Sequence, residues 1–240
     1  VSKRSGIHKY QFPSSDNQYI ILDLVHRDKV LDAKIEKISD TEIVGFRHSE
    51  AWAKDQRLFY AIKTSHPFTD VLQSPEKTGI PGARRSALKF NNPNNEPVYI
   101  KVGISSVDIE GARKNLEAEV ENKDFETIKS EVQNYWEQQL EKIVIEGDNL
   151  DNKTNFYSAL YHTMLAPNRY QDVDGRYRGM DLEIHNAYFD YYSVFSLWDT
   201  YRAAHPLYTI IEQEKTNDFI NTFLAKYDEG GIMPMWDLAG

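Results

Sequence analysis

Short apolar runs separated by turn formers fill the first hundred residues. Tyr19-Ile20-Ile21-Leu22-Asp23-Leu24, Thr41-Glu42-Ile43-Val44-Gly45-Phe46, Leu58-Phe59-Tyr60-Ala61-Ile62 and Val98-Tyr99-Ile100-Lys101-Val102 are rich in β-branched and aromatic residues, and their regular recurrence predicts an antiparallel β-sandwich. Between 67 and 97, Pro75, Gly79, Pro81, Gly82 and the cluster Asn91-Asn92-Pro93-Asn94-Asn95 read as turns and long loops with no helical period. Phe46-Arg47-His48-Ser49, with Trp52 close behind, reads as a loop that crowds polar groups around a large aromatic. A Trp packed on the sandwich edge is the plainer account.

The pattern turns helical after Ser105-Ser106. Ala112, Leu116 and Val120 recur at i+4 with Ser106 or Asp108 as N-cap, predicting a helix from about 109 to 122. A second begins at Asp124 and places Phe125, Ile128, Val132, Tyr135, Trp136 and Leu140 on one stripe. A third starts at Asp151-Asn152 as caps, carries Phe156, Tyr157, Leu160, Tyr161, Met164 and Leu165 on its apolar face, and ends near Ala166 because Pro167 follows. Asp174-Gly175 reads as a tight hairpin turn. Helical periodicity returns from Val194 to Ala204, and again at Phe219, Ile220, Phe223, Leu224 and Tyr227, closed by Gly230-Gly231.

Charge and composition narrow the chemistry. The formal charge of -9 opposes phosphate backbones and anionic membrane surfaces, so neither nucleic acid nor a bilayer is the expected partner. From Asp148 onward there are fourteen acidic against seven basic residues, which puts most of the excess in the helical end. Zero cysteine excludes disulfides, thiolate metal sites and thiol nucleophiles. No run of about 18 apolar residues is present to span a bilayer. Val1 in place of an initiator Met, and the apolar end Met233-Pro234-Met235-Trp236-Asp237-Leu238-Ala239-Gly240, read as the limits of a piece of something longer.

The seven histidines show no HxH or HExxH spacing. Asp172-Val173-Asp174-Gly175 hints at a calcium loop but lacks the downstream bidentate Glu, so the turn is the better reading. Asn152-Lys153-Thr154 is a glycosylation sequon, although a helix cap explains the same Asn. Seven large aromatics, from Tyr188 to Tyr201, are interleaved with Asp190 and Asp199. Core packing accounts for most of them. Trp198-Asp199 stands apart, because a sugar presents an apolar C–H face to an aromatic ring and a rim of hydroxyls to a carboxylate.

Four longer motifs are specific. Phe156-Tyr157-Ser158-Ala159-Leu160-Tyr161-His162-Thr163-Met164-Leu165-Ala166-Pro167-Asn168, Asp172-Val173-Asp174-Gly175-Arg176-Tyr177-Arg178-Gly179-Met180-Asp181, Phe195-Ser196-Leu197-Trp198-Asp199-Thr200-Tyr201-Arg202 with His205-Pro206-Leu207, and Gly230-Gly231-Ile232-Met233-Pro234-Met235-Trp236-Asp237-Leu238-Ala239-Gly240 resemble, in order and spacing, the calcium-dependent exo-α-mannosidases of glycoside hydrolase family 92. The resemblance extends backward through Gly103-Ile104-Ser105-Ser106, Gly111-Ala112-Arg113-Lys114-Asn115-Leu116, and Leu22-Asp23-Leu24 with His26-Arg27-Asp28, so it covers nearly the whole chain.

The resemblance implies an α+β multidomain architecture: an N-terminal β-sandwich over 1–104, a helical linker over 105–147, and over 148–240 the first helices of an (α/α)6 toroid. It further implies inverting hydrolysis of terminal α-mannosides, in which a carboxylic acid protonates the leaving oxygen and a carboxylate activates water. Calcium is the implied cofactor, and mannose-containing glycans and the remainder of the same polypeptide are the implied partners. Periplasmic or extracellular localisation is implied as well. The family's acid, base and most calcium ligands fall beyond Gly240, so no catalytic or metal-binding residue is carried over. Substrate-binding roles carry over to Trp198, Asp199, Trp52 and Trp236. The family usually places Gly where this chain has Ala51, a departure that bears on the backbone of the Trp52 loop. A non-catalytic carbohydrate-binding or structural piece is the alternative.

Overall fold

The computed structural model describes residues 1–15, 17–74 and 85–238. Pro75, Gly79, Pro81, Gly82, Ala239 and Gly240 lie outside the described residues. The chain forms two compact units, Val1–Ile128 with Asp172–Asp174, and Lys129–Gln171 with Gly175–Ala239.

The first unit holds two antiparallel sheets. In one, the strands β1 (Ser5–Tyr10), β8 (Val98–Ser105), β5 (Gln56–Thr64), β4 (Glu42–Glu50) and β3 (Lys29–Lys37) are adjacent in the order β1-β8-β5-β4-β3. In the other, β2 (Gln18–Asp23), β7 (Arg85–Phe90) and β6 (Phe68–Gln73) follow the order β2-β7-β6. Alternate residues point inward, as the two-residue period of a strand requires. Val30, Ile43, Tyr60, Ile62, Val98 and Ile100 of the larger sheet share a core with Phe68, Leu88 and Phe90 of the smaller one, which makes the pair a sandwich.

The four strands expected from apolar runs are present with shifted or longer limits, as β2, β4, β5 and β8. The stretch 67–97 is not all loop, because it contains β6 and β7. Their buried positions are Phe68, Ser86, Leu88 and Phe90, a signal broken by a bulge after Phe68 and obscured by the flanking Pro, Gly and Asn. The run Phe46-Arg47-His48-Ser49 lies within β4 rather than in a loop.

The helix α1 (Ile109–Leu116) opens on Asp108, whose Oδ1 accepts from Gly111 N at 2.6 Å, and continues into a π-helical turn, Glu117–Glu121. It packs on β8 at Gly103, where a Cβ would stand 2.2 Å from the Ala112 carbonyl oxygen, so only glycine permits this approach. Loop residue Asp172 is buried against the same helix. Its carboxylate accepts from Ser105 Oγ and Asn115 Nδ2, both at 2.7 Å.

The second unit is helical. Helix α2 (Phe125–Leu140), capped by Asp124, carries Trp136 against Tyr161 of α3 (Leu150–Thr163). Asn149, not Asp151 or Asn152, caps α3, its Oδ1 accepting from Asn152 N at 3.0 Å. Of the stripes expected on these two helices only Ile128 and Leu160 are fully buried. Short pairs follow: β9 (Asn168–Arg169) with β12 (Tyr192–Ser193), and β10 (Arg176–Arg178) with β11 (Ile184–Asn186). The turn joining β10 to β11 lies at 179–183, so Asp174-Gly175 introduces β10 instead of forming the hairpin tip. The expected helix over Val194–Ala204 is instead β13 (Phe195–Ser196), α4 (Leu197–Thr200) and the start of α5 (Ala204–Ile211). Last come α6 (Gln213–Gly230), stopped by Gly231 at φ +74°, and β14 (Trp236–Asp237), which pairs with β13.

Candidate functional site

The two-residue strands β13 and β14 of the second unit lie beside exposed binding chemistry. In the β13–β14 ladder Phe195 faces Asp237 and Ser196 faces Trp236, and Leu197 N donates to the Met235 carbonyl at 3.1 Å. Helix α4 leaves directly from β13. Ser196 Oγ donates to Asp199 Oδ2 at 2.5 Å, and Thr200 Oγ1 donates back to the Ser196 carbonyl at 2.9 Å. One carboxylate oxygen is thereby fixed while the side chain stays exposed. Trp198 is 63% and Trp236 50% exposed, far more than indole rings that fill a core. The ladder therefore brings together three of the four residues proposed from sequence, two aromatic faces and an ionisable carboxylate.

Behind the ladder, α6 supplies an aromatic wall and a polar seam. Phe195 lies 4.4 Å from Phe223 and 5.6 Å from Phe219 between ring centroids. Thr222 Oγ1 accepts from Tyr192 N at 3.2 Å. One turn on, Lys226 Nζ donates to Asp237 Oδ2 at 2.7 Å, with side-chain exposures of only 3% and 5%. The ammonium also sits 4.9 Å from the Tyr191 ring centroid. Burial pulls the Lys226 pKa below its ordinary value, against the opposing pull of the Asp237 carboxylate.

Glu229, a further turn along, accepts from Tyr177 Oη at 2.6 Å and Tyr191 Oη at 3.3 Å, and from Met180 N at 3.0 Å. Burial, with Glu229 alongside, holds both phenols well above the ordinary tyrosine range. Sequence reasoning missed this seam. Its signal was Thr222, Lys226 and Glu229 recurring at helical spacing between the apolar positions of α6.

Trp52 belongs to the sandwich unit, on the loop joining β4 to β5, and is 74% exposed. The loop is closed at its base by Asp55, which meets His48 Nε2 and Arg57 Nε, each at 2.9 Å. Ala51 N donates to the Ala53 carbonyl at 2.9 Å, and Ala51 is not among the residues with positive φ, so its backbone does not call for glycine.

Among the described residues no group of three or more His, Asp or Glu side chains converges so as to hold a metal ion. The carboxylate of Asp172 is taken up by Ser105 and Asn115, in keeping with a turn rather than a cation loop.

Residues 1–105 match the glycosyl hydrolase family 92 N-terminal domain and residues 111–240 the glycosyl hydrolase family 92 catalytic domain, and the chain belongs to that family. It is similar to the family GH92 alpha-mannosidase BT3965 from Bacteroides thetaiotaomicron, with 29% identity and a TM-score of 0.91 over 100% of this chain and 34% of that one. The same alpha-mannosidase in complex with mannoimidazole matches equally. The fold is also that of the inverting mannosidase BT2199 from the same organism, with a TM-score of 0.86 at 24% identity over 97% of this chain and 33% of that one. An uncharacterized secreted glycosidase of Arthroderma benhamiae is 28% identical over 121 residues, which is 48% of this chain and 15% of that protein. The chain thus spans about a third of the structures it matches, and comprises their N-terminal β-sandwich and the start of their helical toroid.

Proposed function

We propose that this chain is the N-terminal part of an exo-α-mannosidase, in which Trp198, Asp199 and Trp236, together with Trp52 of the sandwich unit, bind the terminal mannose. The division into a sandwich over 1–104, a helical linker over 105–147 and the opening of the toroid over 148–240 belongs to the same reading. The observation that carries it is Asp199, exposed and braced by Ser196 next to an open Trp198 face, on a chain whose relatives include an alpha-mannosidase structure solved with mannoimidazole. An ionised carboxylate accepts strong hydrogen bonds from vicinal sugar hydroxyls, and the indole covers the C–H face of the ring. The hydrolysis itself, by inversion with an acid and a base on opposite sides of the sugar, falls to other residues of the complete enzyme. Calcium belongs to the complete enzyme as well, as does action on mannose-containing glycans outside the cytoplasm. No described helix is long and apolar enough to cross a membrane.

The test is mannose release from an α-mannoside by the complete enzyme, with the anomer of the product read by NMR. Activity lost to a chelator and restored by calcium supports the metal's role, whereas full activity in chelator removes it. Asp199→Ala should abolish most turnover, and an unchanged rate would take Asp199 out of the site.

A further inference from the structure

We propose that Lys226 is a positioning residue, which acts through its buried ion pair with Asp237 to hold the β13–β14 ladder in the register that presents Trp198, Asp199 and Trp236. This deepens the functional reading above and rests on it for its effect on turnover.

The two strands are anchored by different means. Phe195 ties β13 to α6 through rings, packing on Phe219 and Phe223. On β14 itself Trp236 is half exposed, as are Met235 and Met233 before it, and the flanking Pro234 and Leu238 are buried and half-buried. Asp237 is the buried residue of β14, and Lys226 Nζ meets it at 2.7 Å. A pairing only two residues long has little stability of its own, so its register depends on such an anchor. A slip of one residue would exchange the two faces of β14, turning Trp236 inward and Asp237 outward.

Energetics argues the same way. Desolvating an ammonium and a carboxylate cancels much of their attraction, and apolar residues of similar volume often serve stability equally well. What the pair supplies that a Met–Leu contact does not is selectivity. A slip that moved Asp237 off the ammonium, which lies 2.7 Å from its carboxylate and 4.9 Å from the Tyr191 ring centroid, would strand a buried charge.

The experiment compares, in the complete enzyme, the neutral double variant Lys226→Met with Asp237→Leu, the near-isosteric Asp237→Asn, and Asp199→Ala. Melting temperature, kcat and KM on an α-mannoside, and amide hydrogen exchange over 195–199 and 235–237 are read for each. The double variant should melt within a few degrees of the parent, lose protection in both segments, and fall about 100-fold in kcat/KM, the scale of an ångström of misplacement. Should it fail to fold, Asp237→Asn decides the matter, with an expected loss of about tenfold in kcat/KM and faster exchange at 235–237. Parent-like exchange and parent-like kcat/KM in the variants that fold overturn the proposal. If Asp199→Ala leaves the rate unchanged, the mannose-site reading fails instead, and the exchange data still decide whether Lys226 sets the ladder.

Discussion

Asp199 shows how much a single side chain can depend on its neighbour. Its Oδ2 is fixed by the Ser196 hydroxyl at 2.5 Å, and the other oxygen has no hydrogen-bond partner among the described residues. Ser196→Ala frees the rotamer without touching the carboxylate. The expected result is a rise in KM of several-fold with an unchanged melting temperature, and equal KM values for parent and variant would show that the brace is idle. Asp172 is the opposite case, a carboxylate with a structural task. Ser105 and Asn115 donate to it, and a Cβ on Gly111 would stand 2.1 Å from its Oδ2. Gly111→Ala should therefore cost about 2–4 kcal/mol by pushing a buried, hydrogen-bonded charge off its donors. A denaturant midpoint within error of the parent would contradict that. Both residues stood in recognisable motifs, yet sequence alone separated their roles only partly, because which donors a carboxylate meets is decided by contacts far apart in the chain.

Among the elements, α6 was the most legible and also held what was least expected. Its apolar spacing and its Gly230-Gly231 stop were readable, because both follow from local periodicity and backbone conformation. The faces are distinguishable only in the structure. Phe219 is buried against Tyr192, Phe195 and Tyr208, whereas the adjacent Ile220 is half exposed. Phe219→Ala is expected to cost about 3–5 kcal/mol by opening a cavity under β13, and Ile220→Ala less than about 1 kcal/mol. Similar melting temperatures for the two variants would mean that α6 is not packed as described. Strands fared differently. β2, β4, β5 and β8 advertise themselves by apolar runs, while β6 and β7 mix apolar and polar residues without a regular period beside turn formers, and β13 is two residues inside what reads as a helical segment. Such short strands exist because a partner strand is supplied from elsewhere, 40 residues away for β13, and that is information no local pattern contains.

For the whole chain, the excess of acid over base sets how it responds to pH, and two kinds of group respond at different places. His205, half-buried between Tyr208 and Phe219, has its pKa lowered by burial. The unfolded chain therefore binds a proton on this ring more readily than the folded one, so the His205 contribution is fully present above pH about 6.5 and is lost as pH falls through that value toward the lowered one. The second kind comprises Asp23, Asp124 and Asp181, whose pKa values are lowered. For Asp23 the opposing effect of burial is outweighed by Arg85 and the Val25 amide, and for Asp181 by His185 and the Glu183 amide. Asp124 is held down chiefly by the Thr127 amide and hydroxyl. Here the folded state keeps its charge longer, so stability is present above pH about 3.9 and lost as pH falls below it. On the acid side of neutrality the melting temperature should thus decline through the imidazole range and decline again in acid. His205→Gln should remove the first decline and leave the second, because it deletes the ring that must charge while the three aspartates keep their partners. A variant whose melting temperature still falls between pH 7 and 5 as steeply as the parent's would place that loss in another group of the chain.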